Sequence, residues 1–155
     1  MSNTSARATG RPGDASPFAL GLLLRRAHTR AAAAMAGAMR PFGLELRHFA
    51  VLITLTDKGS MTQRDLVDAT GFDKAGIMRV VDDLEAAGLA VRRAVPGDRR
   101  ARAVEVTDRG LEVFDAAHVN AVGPADELVA HLGPGEADQL MDLLTRFTYP
   151  PNTTD

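Results

Sequence analysis

Residues 60–93 read SMTQRDLVDATGFDKAGIMRVVDDLEAAGLAVRR, and this stretch decides the fold. Thr62 is followed three residues later by Asp65, which is a variant of the capping box that begins a helix. A tight turn around Gly71 comes next, and Asp73 is placed to cap a second helix. Two helices joined by a short turn that contains glycine predict a helix-turn-helix.

Two extended segments follow these helices. Residues 89–95 (LAVRRAV) and 101–106 (ARAVEV) flank a turn at Pro96-Gly97, so they predict a β-hairpin. The arginines near its tip are Arg99, Arg100 and Arg102. A helix-turn-helix followed by an arginine-tipped hairpin is the pattern of a winged helix, which favours nucleic-acid binding.

Helical patterns also lie on either side of this region. Ser16 and Pro17 are typical of a helix start, and Thr107 is placed to cap a long downstream helix. Gly123-Pro124 is expected to kink or interrupt that helix, because proline removes a backbone donor and clashes one turn back. The predicted helices outside residues 60–93 cover 17–39, 45–57, 108–132 and 134–147.

The composition is that of a globular chain without disulfides. The 155 residues suffice for one domain with its own core, and 45% of them are hydrophobic. The sequence has no cysteine, which excludes disulfides, thiolate metal sites and cysteine nucleophiles. The N-terminus lacks the apolar segment of a secretory signal, and no apolar run reaches the ~18 residues of a membrane span. We therefore expect a cytoplasmic protein without a membrane partner.

Sequence motifs of enzymes and of metal sites are not recognisable. The chain has no G-x-S-x-G elbow and no glycine-rich phosphate loop. Its histidines show no His-x-x-x-His spacing of the kind that zinc sites use. They are His28, His48, His118 and His131. We therefore expect neither an enzyme nor a cofactor or metal site.

The net charge of −2 conceals a strong asymmetry along the chain. Residues 1–60 carry a net charge of +5, residues 61–110 are balanced, and residues 111–155 carry −7. Exposed charges are screened beyond about 8 Å at physiological ionic strength. The acidic C-terminal part therefore does not prevent the arginine-rich hairpin from meeting an anionic partner.

The charged residues between the helix-turn-helix and the hairpin are expected to pair with one another. Arg92 or Arg93, at the base of the hairpin, is placed to meet an acid such as Asp82 or Glu85. Asp82 and Asp83 form a pair on the helix surface, for which solvation or a salt bridge is favoured over a metal site.

Three stretches together resemble the MarR family of bacterial and archaeal transcription regulators. They are GLELRHFAVLITL (43–55), MTQRDLVDATGFDKAGIMRVVDDLEAAGLAVRR (61–93) and GDRRARAVEVTDRG (97–110). The last is the most specific, because the family shows Asp-x-Arg, alternating apolar positions and then Thr. The matching residues here are Asp98, Arg100, Val104, Val106 and Thr107. The resemblance covers about residues 18–148.

The resemblance implies a mainly α fold with a small β-hairpin wing. It divides residues 17–148, a single domain, into a winged helix-turn-helix DNA-binding lobe and a helical dimerisation region. The lobe is expected over 45–106 and the dimerisation helices over 17–39 and 108–148. Burial within one chain is the alternative for the apolar residues of those helices. Residues 1–16 are expected to be a disordered arm, and 149–155 a disordered tail.

DNA contacts are expected first from the helix that Asp73 caps, whose first turns should enter the major groove. Lys74 and Arg79 are able to reach phosphates or guanine edges, although a solvated helix face is the alternative. Gly76 stands where the family usually has Ser or Thr, so one base contact is lost and the backbone is free to approach DNA. Met78 is expected either to touch a thymine methyl group or to be buried.

The wing is expected to contact the minor groove. A narrow minor groove concentrates negative potential and attracts arginine, and Arg100 is the residue we expect to be inserted. The resemblance implies that the Asp98 carboxylate restrains Arg100; a merely solvated hairpin tip is the alternative. Phosphate contacts are expected from Thr62, Gln63, Arg99 and Arg102.

The resemblance also implies an effector cleft, because small aromatic or phenolic anions often bind MarR-like proteins between the dimer helices and the DNA-binding lobe. The first, second and fifth helices would line it, with Arg or His holding a carboxylate and Phe giving an apolar wall. Ordinary core and surface roles are the alternative. The candidate effector-binding residues are Arg26, His28, His48, Phe49, Phe114 and His118.

These expectations combine into a homodimeric, sequence-specific DNA-binding transcription regulator. The resemblance favours a repressor that binds a pseudo-palindromic double-stranded operator and is relieved by a small aromatic or phenolic ligand. The alternative is a winged-helix module that binds protein, or that binds DNA without an effector.

Overall fold

The computed structural model describes residues 16–150, apart from the side chains of Arg99 and Arg100. Almost all of the predicted N-terminal arm and residues 151–155 of the predicted tail therefore lie outside the described residues. Within 16–150 the chain forms six α-helices, one 3-10 helix and one three-stranded sheet. In chain order they are α1 Ala19–Met39, the 3-10 helix Arg40–Phe42, α2 Leu46–Lys58, β1 Met61–Thr62, α3 Gln63–Thr70, α4 Lys74–Ala86, β2 Ala90–Val95, β3 Asp98–Val106, α5 Asp108–Val129 and α6 Glu136–Thr148. The mainly helical fold with a small hairpin is confirmed.

The helix-turn-helix is formed by α3 and α4, and its ends are closed by the residues that the sequence singles out. The Thr62 hydroxyl accepts a hydrogen bond from the backbone N–H of Asp65 (3.2 Å) and donates one to the Asp65 carboxylate (2.7 Å). Gly71 ends α3 in the left-handed conformation, with φ of 71°, which glycine adopts without strain. Asp73 Oδ1 accepts from the backbone N–H of Gly76 at 2.6 Å and caps α4.

The sheet contains a strand that the sequence did not predict. Residues Met61 and Thr62 form β1 and pair with Val104 and Ala103 of β3, which places β3 between β1 and β2. A run of two residues is too short to show the alternation by which strands are recognised. The wing is therefore anchored to the start of the helix-turn-helix as well as to its own hairpin partner.

The hairpin register is interrupted near its tip. Ala94 pairs with Arg102, but Val95 pairs with Asp98, so residues 99–101 have no counterpart in β2. Extra residues on one strand form a bulge, which bends the strand and breaks the regular pairing. The outer end of the wing is thus paired less completely than its base.

The core lies inside the lobe, between the helices α2 to α4 and the sheet. The largest fully buried side chains are Leu52, Leu66, Ile77, Leu84, Val51, Val80, Val81 and Val104. Burying a side chain of this size stabilises a fold by about 1.5–3 kcal/mol. These eight residues give the lobe a hydrophobic core built from within one chain.

The terminal helices differ from the sequence prediction in their ends. Helix α1 begins at Ala19 rather than at Pro17, and the Ser16 hydroxyl accepts from the N–H of Phe18 at 3.2 Å. An interruption at Pro124 is wrong, because α5 is continuous from Asp108 to Val129, whereas a kink there stays a prediction. The carbonyl that loses its helical partner belongs to Asn120, which is exposed, so that it is open to solvent.

Helices α1, α5 and α6 leave much apolar surface uncovered. Helix α1 packs along α5, whereas α6 has no buried residue and makes only marginal contacts with the rest of the described chain. All but two of the exposed large hydrophobic residues within 16–150 lie outside the lobe. They are Phe18, Leu20, Leu22, Leu23, Leu111, Val119, Val122, Leu140, Met141, Leu143, Phe147 and Tyr149. In the described part of the chain, no helix is both long and apolar enough to cross a membrane.

Candidate nucleic-acid interface

One face of α4 is buried and the opposite face is open. Ile77, Val80, Val81 and Leu84 are buried in the lobe, and their helical spacing turns the other side of α4 to solvent. The exposed residues of the first two turns are Lys74, Ala75, Met78 and Arg79. Met78 is 44% exposed, which excludes the buried role and places it on the outer face. Its contact with a thymine methyl group stays a prediction.

Gly76 lies half-buried beneath the N-terminal cap of α4. A Cβ atom at this position would lie 2.8 Å from Asp73 Oδ1, the oxygen that accepts the Gly76 N–H. A side chain would therefore have to displace the cap. Glycine keeps this short hydrogen bond. It also leaves the first turn of α4 without a side chain at this position, so that a ligand can approach the backbone closely.

Basic and polar side chains surround a concavity of about 300 Å³ between α3 and α4. Gln63, Arg64, Val67 and Lys74 line it. The sequence analysis did not select Arg64; its position one residue after Gln63, in the first turn of α3, was the signal that could have found it. No salt bridge within 4 Å joins Lys74 or Arg79 to an acidic residue of the described chain. Their charges are therefore available to an external anion.

Thr62 and Asp65 are occupied with each other at the start of α3. Hydrogen bonds from the Thr62 hydroxyl and from its backbone N–H hold the pKa of the Asp65 carboxyl below its ordinary value. The Thr62 hydroxyl already makes two hydrogen bonds within the helix cap. Of the two residues expected to meet phosphate here, Gln63 is the one whose side chain lines the open concavity.

An ion-pair network joins α4 to the base of the wing. The guanidinium of Arg92 in β2 meets both Asp82 and Glu85 of α4, and the Arg92 N–H donates to Glu85 Oε1 at 3.1 Å. Partial burial opposes the charge of Arg92, but the hydrogen bonds to Asp82 and Glu85 outweigh it and raise its pKa. Arg93 pairs instead with Glu105, at 2.7 Å. The expected pairing at the wing base is confirmed, with Arg92 holding both acids.

The wing tip carries the remaining predicted contacts. Asp98 Oδ1 accepts from the backbone N–H of Ala101 at 3.2 Å, which stabilises the bulge. Arg102 is exposed, and its guanidinium donates to the Ala101 carbonyl at 3.1 Å. Arg99 and Arg100 belong to β3, but their side chains lie outside the described residues. The restraint of Arg100 by Asp98 and the insertion of Arg100 into a groove stay predictions.

His48 is a structural residue at the contact between α2 and α4. It is 4% exposed and uses both ring nitrogens. Nδ1 accepts from the backbone N–H of Glu45 at 2.9 Å, and Nε2 lies 3.1 Å from Asp83 Oδ2. This capping role agrees with the core alternative for His48 rather than with direct ligand binding.

Three of the predicted effector residues, Phe49, Phe114 and His118, lie next to one another. Phe49 is buried and stacks on Phe114, with ring centroids 5.1 Å apart, and Phe114 lies 6.1 Å from the His118 ring. Arg26 and His118 are exposed. The three aromatic rings therefore form a stack that joins α2 to α5.

A larger cavity lies between α1 and the start of α2. Its volume is about 550 Å³, and most of its wall is apolar. His28 is the one predicted effector residue that lines it, and none of its lining residues belongs to α5. The others are Ala32, Ala36, Met39, Leu44, Glu45, Leu46, Arg47, Ala50, Thr70 and Phe72. Within residues 16–150 no three His, Asp or Glu side chains gather as a metal site requires.

Comparison with known proteins gives this architecture a family. A family model described as MarR family matches residues 42–101, which include the helix-turn-helix and most of the wing. Over 128 residues the chain is 32% identical to the HTH-type transcriptional repressor NicR of Pseudomonas putida, an alignment that covers 83% of this chain and 81% of NicR. The chain belongs to the MarR family. Proteins of the MarR family are transcription regulators and not enzymes.

Solved structures of MarR-family proteins have the same fold. The structure of BpsR from Bordetella bronchiseptica, studied for regulation of its DNA binding by 6-hydroxynicotinic acid, superposes with a TM-score of 0.75 at 29% identity and covers 84% of this chain and 98% of that one. The repressor CouR bound to a 23-mer DNA duplex superposes with a TM-score of 0.80 at 27% identity, over 94% of this chain and all of CouR. CouR from Rhodococcus jostii RHA1 has also been solved with p-coumaroyl-CoA, and it matches at a TM-score of 0.74 and 27% identity over 87% of this chain and 95% of that one.

Proposed function

We propose that this protein is a homodimeric repressor that binds a pseudo-palindromic operator and releases it when a small aromatic ligand fills the cavity between α1 and α2. One observation carries the proposal. The lobe has its own core and turns the open face of α4 toward solvent beside the wing, whereas the terminal helices leave their apolar faces uncovered. The first property suits DNA and the second suits another copy of the chain.

The terminal helices support the dimer. Soluble monomers rarely leave a large contiguous apolar surface exposed, because such surface promotes association. Phe147 of α6 is 57% exposed and Leu22 of α1 is 51% exposed. A two-fold dimer buries the same patch on both copies, so α1, α5 and α6 of one chain would cover those of the other.

The lobe supports DNA binding through two separate contacts. The open face of α4 presents Lys74, Met78 and Arg79, which have the chemistry to meet phosphates, thymine methyl groups and guanine edges in a major groove. The wing presents arginines to the adjacent minor groove. Two lobes related by a two-fold axis would read half-sites about 34 Å apart, which corresponds to one turn of DNA.

The cavity supports regulation by a small molecule. Its volume of about 550 Å³ lies within the range of ligand pockets, about 300–1,000 Å³, and a few polar groups interrupt a mainly apolar wall. His28 and Arg47 are the groups able to hold a carboxylate or a phenolate, and Phe72 offers a ring to stack on. Arg47 Nε is paired with Glu45 Oε2 at 3.0 Å, so a ligand would meet the remaining N–H groups of its guanidinium. The regulation of BpsR by 6-hydroxynicotinic acid and the p-coumaroyl-CoA complex of CouR support an aromatic ligand here.

The test is a salt-titrated gel shift on the DNA immediately upstream of the protein's own gene. We expect sequence-specific binding that weakens steeply with salt, and a footprint with two symmetric half-sites. Lys74→Ala should weaken binding and lower the salt slope by about one, because it removes one phosphate contact. Lys58→Ala makes the same charge change at the end of α2, and it serves as the matched control. Absence of specific binding would favour a winged helix that binds protein.

The ligand part of the proposal is tested on the same complex. Addition of 6-hydroxynicotinic acid, as a probe of the aromatic carboxylate class, should raise the melting temperature of the free protein and weaken the DNA complex. Arg47→Ala should reduce both effects. Specific DNA binding that no member of this class alters would favour a regulator without an effector.

A further inference from the structure

Two neighbouring carboxylates on α4 hold two different parts of the lobe. Asp82 pairs with Arg92 at the base of the wing, whereas Asp83 bonds to His48 of α2. Consecutive residues of an α-helix point about 100° apart, so one helix is able to hold a partner on each side. Helix α4, the recognition helix of the proposed function, is therefore held on one side by the wing and on the other by α2.

The protonation state of His48 follows from its hydrogen bonds. Nδ1 accepts the backbone N–H of Glu45 and therefore carries no proton. The ring proton is on Nε2, which donates it to the carboxylate of Asp83. His48 thus fixes the start of α2 with one nitrogen and the middle of α4 with the other, and its burial limits the orientations of its ring.

The anchor of His48 on α2 is also part of the cavity wall. Glu45, whose N–H binds His48 Nδ1, lines the cavity of about 550 Å³ together with Leu46 and Arg47. A ligand that filled the cavity would lie against this first turn of α2. A shift of Glu45 changes the aim of the His48 ring, and through it the hold on Asp83.

We propose that His48 and Asp83 are positioning residues that transmit the occupancy of this cavity to the recognition helix. The inference rests on the proposed function, because it assumes a DNA complex that a ligand in this cavity weakens. A competing route exists through Phe72, which lines the same cavity and precedes the α4 cap residue Asp73. The experiment below distinguishes the two routes.

The absence of cysteine from the sequence allows the cavity to be filled at one chosen position. Ala32 is a half-buried residue of α1 that lines the cavity, and Ala32→Cys introduces a single thiol there. Benzyl methanethiosulfonate then attaches a benzylthio group as a ring-sized occupant, with sulfinate as the leaving group. We expect the label to weaken binding to the upstream DNA about tenfold, within the usual range of coupling between sites. The same label on Thr56→Cys, at the exposed side of α2, should leave the affinity unchanged.

The decisive measurement is the ratio of DNA affinities without and with the label, in four further variants. Asp83→Ala should reduce the ratio from about 10 to below about 2, and Asp83→Asn should restore it, because an amide oxygen still accepts from Nε2. Asp82→Ala removes the same charge from the neighbouring residue, which does not bond to His48. The ratio for this variant should therefore stay near 10. His48→Gln keeps an acceptor for the Glu45 N–H but does not reach Asp83, and should behave like Asp83→Ala.

Two results would overturn the inference while leaving the operator binding of the proposed function intact, although the second would also contradict its ligand part. An unchanged ratio in Asp83→Ala would show that the signal travels by another route, such as Phe72. An unaltered affinity of labelled Ala32→Cys would show that the cavity is not coupled to DNA binding. Loss of specific DNA binding in the unlabelled parent protein is a separate outcome, which contradicts the proposed function and the inference with it.

Discussion

The lobe and the terminal helices of this chain are built from similar amounts of apolar sequence but use it in opposite ways. In the lobe, the large aliphatic residues of α2, α3 and α4 are buried among themselves, and only Ile53 and Met78 are large hydrophobic residues left exposed. In α6 no residue is buried, although Leu140, Leu143 and Phe147 lie along it.

The ends of the helices show the same contrast for α1 and α6, although the terminal helix α5 is capped. Thr62, Asp73 and Thr107 cap α3, α4 and α5 with side-chain hydrogen bonds, whereas α1 and α6 begin without one. A helix that lacks both a cap and a buried face depends on contacts from outside for its stability. The lobe is therefore complete within one chain, whereas α6 has neither a side-chain cap nor a buried face.

The largest effect is expected from a charge placed on the uncovered face. Leu143→Glu would bury two carboxylates at a two-fold interface, which costs several kcal/mol per ion. Sedimentation velocity at micromolar concentration should then show a single-chain species or aggregates, and operator binding should be lost. Ile53→Glu makes the same change at the exposed hydrophobic position of the lobe, and it should leave the assembly intact. If Leu143→Glu and Ile53→Glu had the same effect on the assembly, the terminal helices would not differ from the lobe in this respect.

The junction between the regions gives the next largest effect. Gly110 is buried at the start of α5, where a Cβ atom would overlap with the Leu89 carbonyl and lie 2.7 Å from Val106 Cγ1. Gly110→Ala should lower the free energy of unfolding by about 3 kcal/mol, the upper end of the usual cost of overpacking. Gly37→Ala, within α1, meets no atom within 4 Å and should gain about 0.5–1 kcal/mol. Urea unfolding measures the free energy of unfolding of both variants. An unchanged value for Gly110→Ala would mean that the start of α5 is not tightly packed against the lobe.

The wing tip separates DNA contacts from folding within the lobe itself. Arg100→Ala should weaken operator binding by about 1–3 kcal/mol, and more strongly at A·T-rich flanks, where narrow minor grooves favour an inserted guanidinium. Arg99→Ala, as a phosphate contact, should weaken all sequences alike and lower the salt slope by about one. The melting temperature should stay the same in both. Binding by Arg100→Ala equal to that of the parent would show that the wing does not read DNA.

Asp98→Ala is a control that removes a negative charge, whereas the two arginine variants each remove a positive one. It removes a negative charge from the surface proposed to face DNA, so charge alone predicts tighter binding. We expect weaker binding, because Asp98 holds the bulge through the Ala101 N–H and is predicted to restrain Arg100.

The smallest expected effect concerns the cap of α3. Hydrogen bonds from Thr62 lower the pKa of Asp65 in the folded chain, so the stabilisation that Asp65 provides is present above its unfolded pKa and is lost as the pH falls through the folded value. Asp65→Asn should therefore flatten the acid side of the stability curve, in the pH range below the ordinary pKa of an Asp carboxyl. Thermal unfolding across this range measures it. If the stability of Asp65→Asn fell with pH as steeply as that of the parent, the cap carboxylate would not contribute to the pH dependence.

Features that depend on neighbours in the sequence were predictable. The caps at Thr62 and Asp73 and the glycine that ends α3 follow from spacings of three or fewer residues, and they were found. Strand β1 was missed because its partners, Ala103 and Val104, lie about forty residues away.

The site residues show the same limit. His48 was selected for ligand binding because a histidine near an apolar cleft has suitable chemistry, but its partner Asp83 is 35 residues distant. A local signal did exist, since Glu45 and His48 have the spacing of a capping box. The continuous course of α5 through Pro124 depends on the exposure of Asn120, which the sequence does not display.

Strand β3 has the mechanics of a cantilever. At Ala103 and Val104 it is clamped on both sides, by β1 and by β2, and β1 leads directly into α3. Toward the tip it has a neighbour on one side, and residues 99–101 have none in β2. The strand is therefore stiffer at its base than at its tip, and it bends most easily on the tip side of Arg102. In the proposed DNA complex, the tip would be able to follow minor grooves of different width while the base of the strand keeps α4 in register with its half-site.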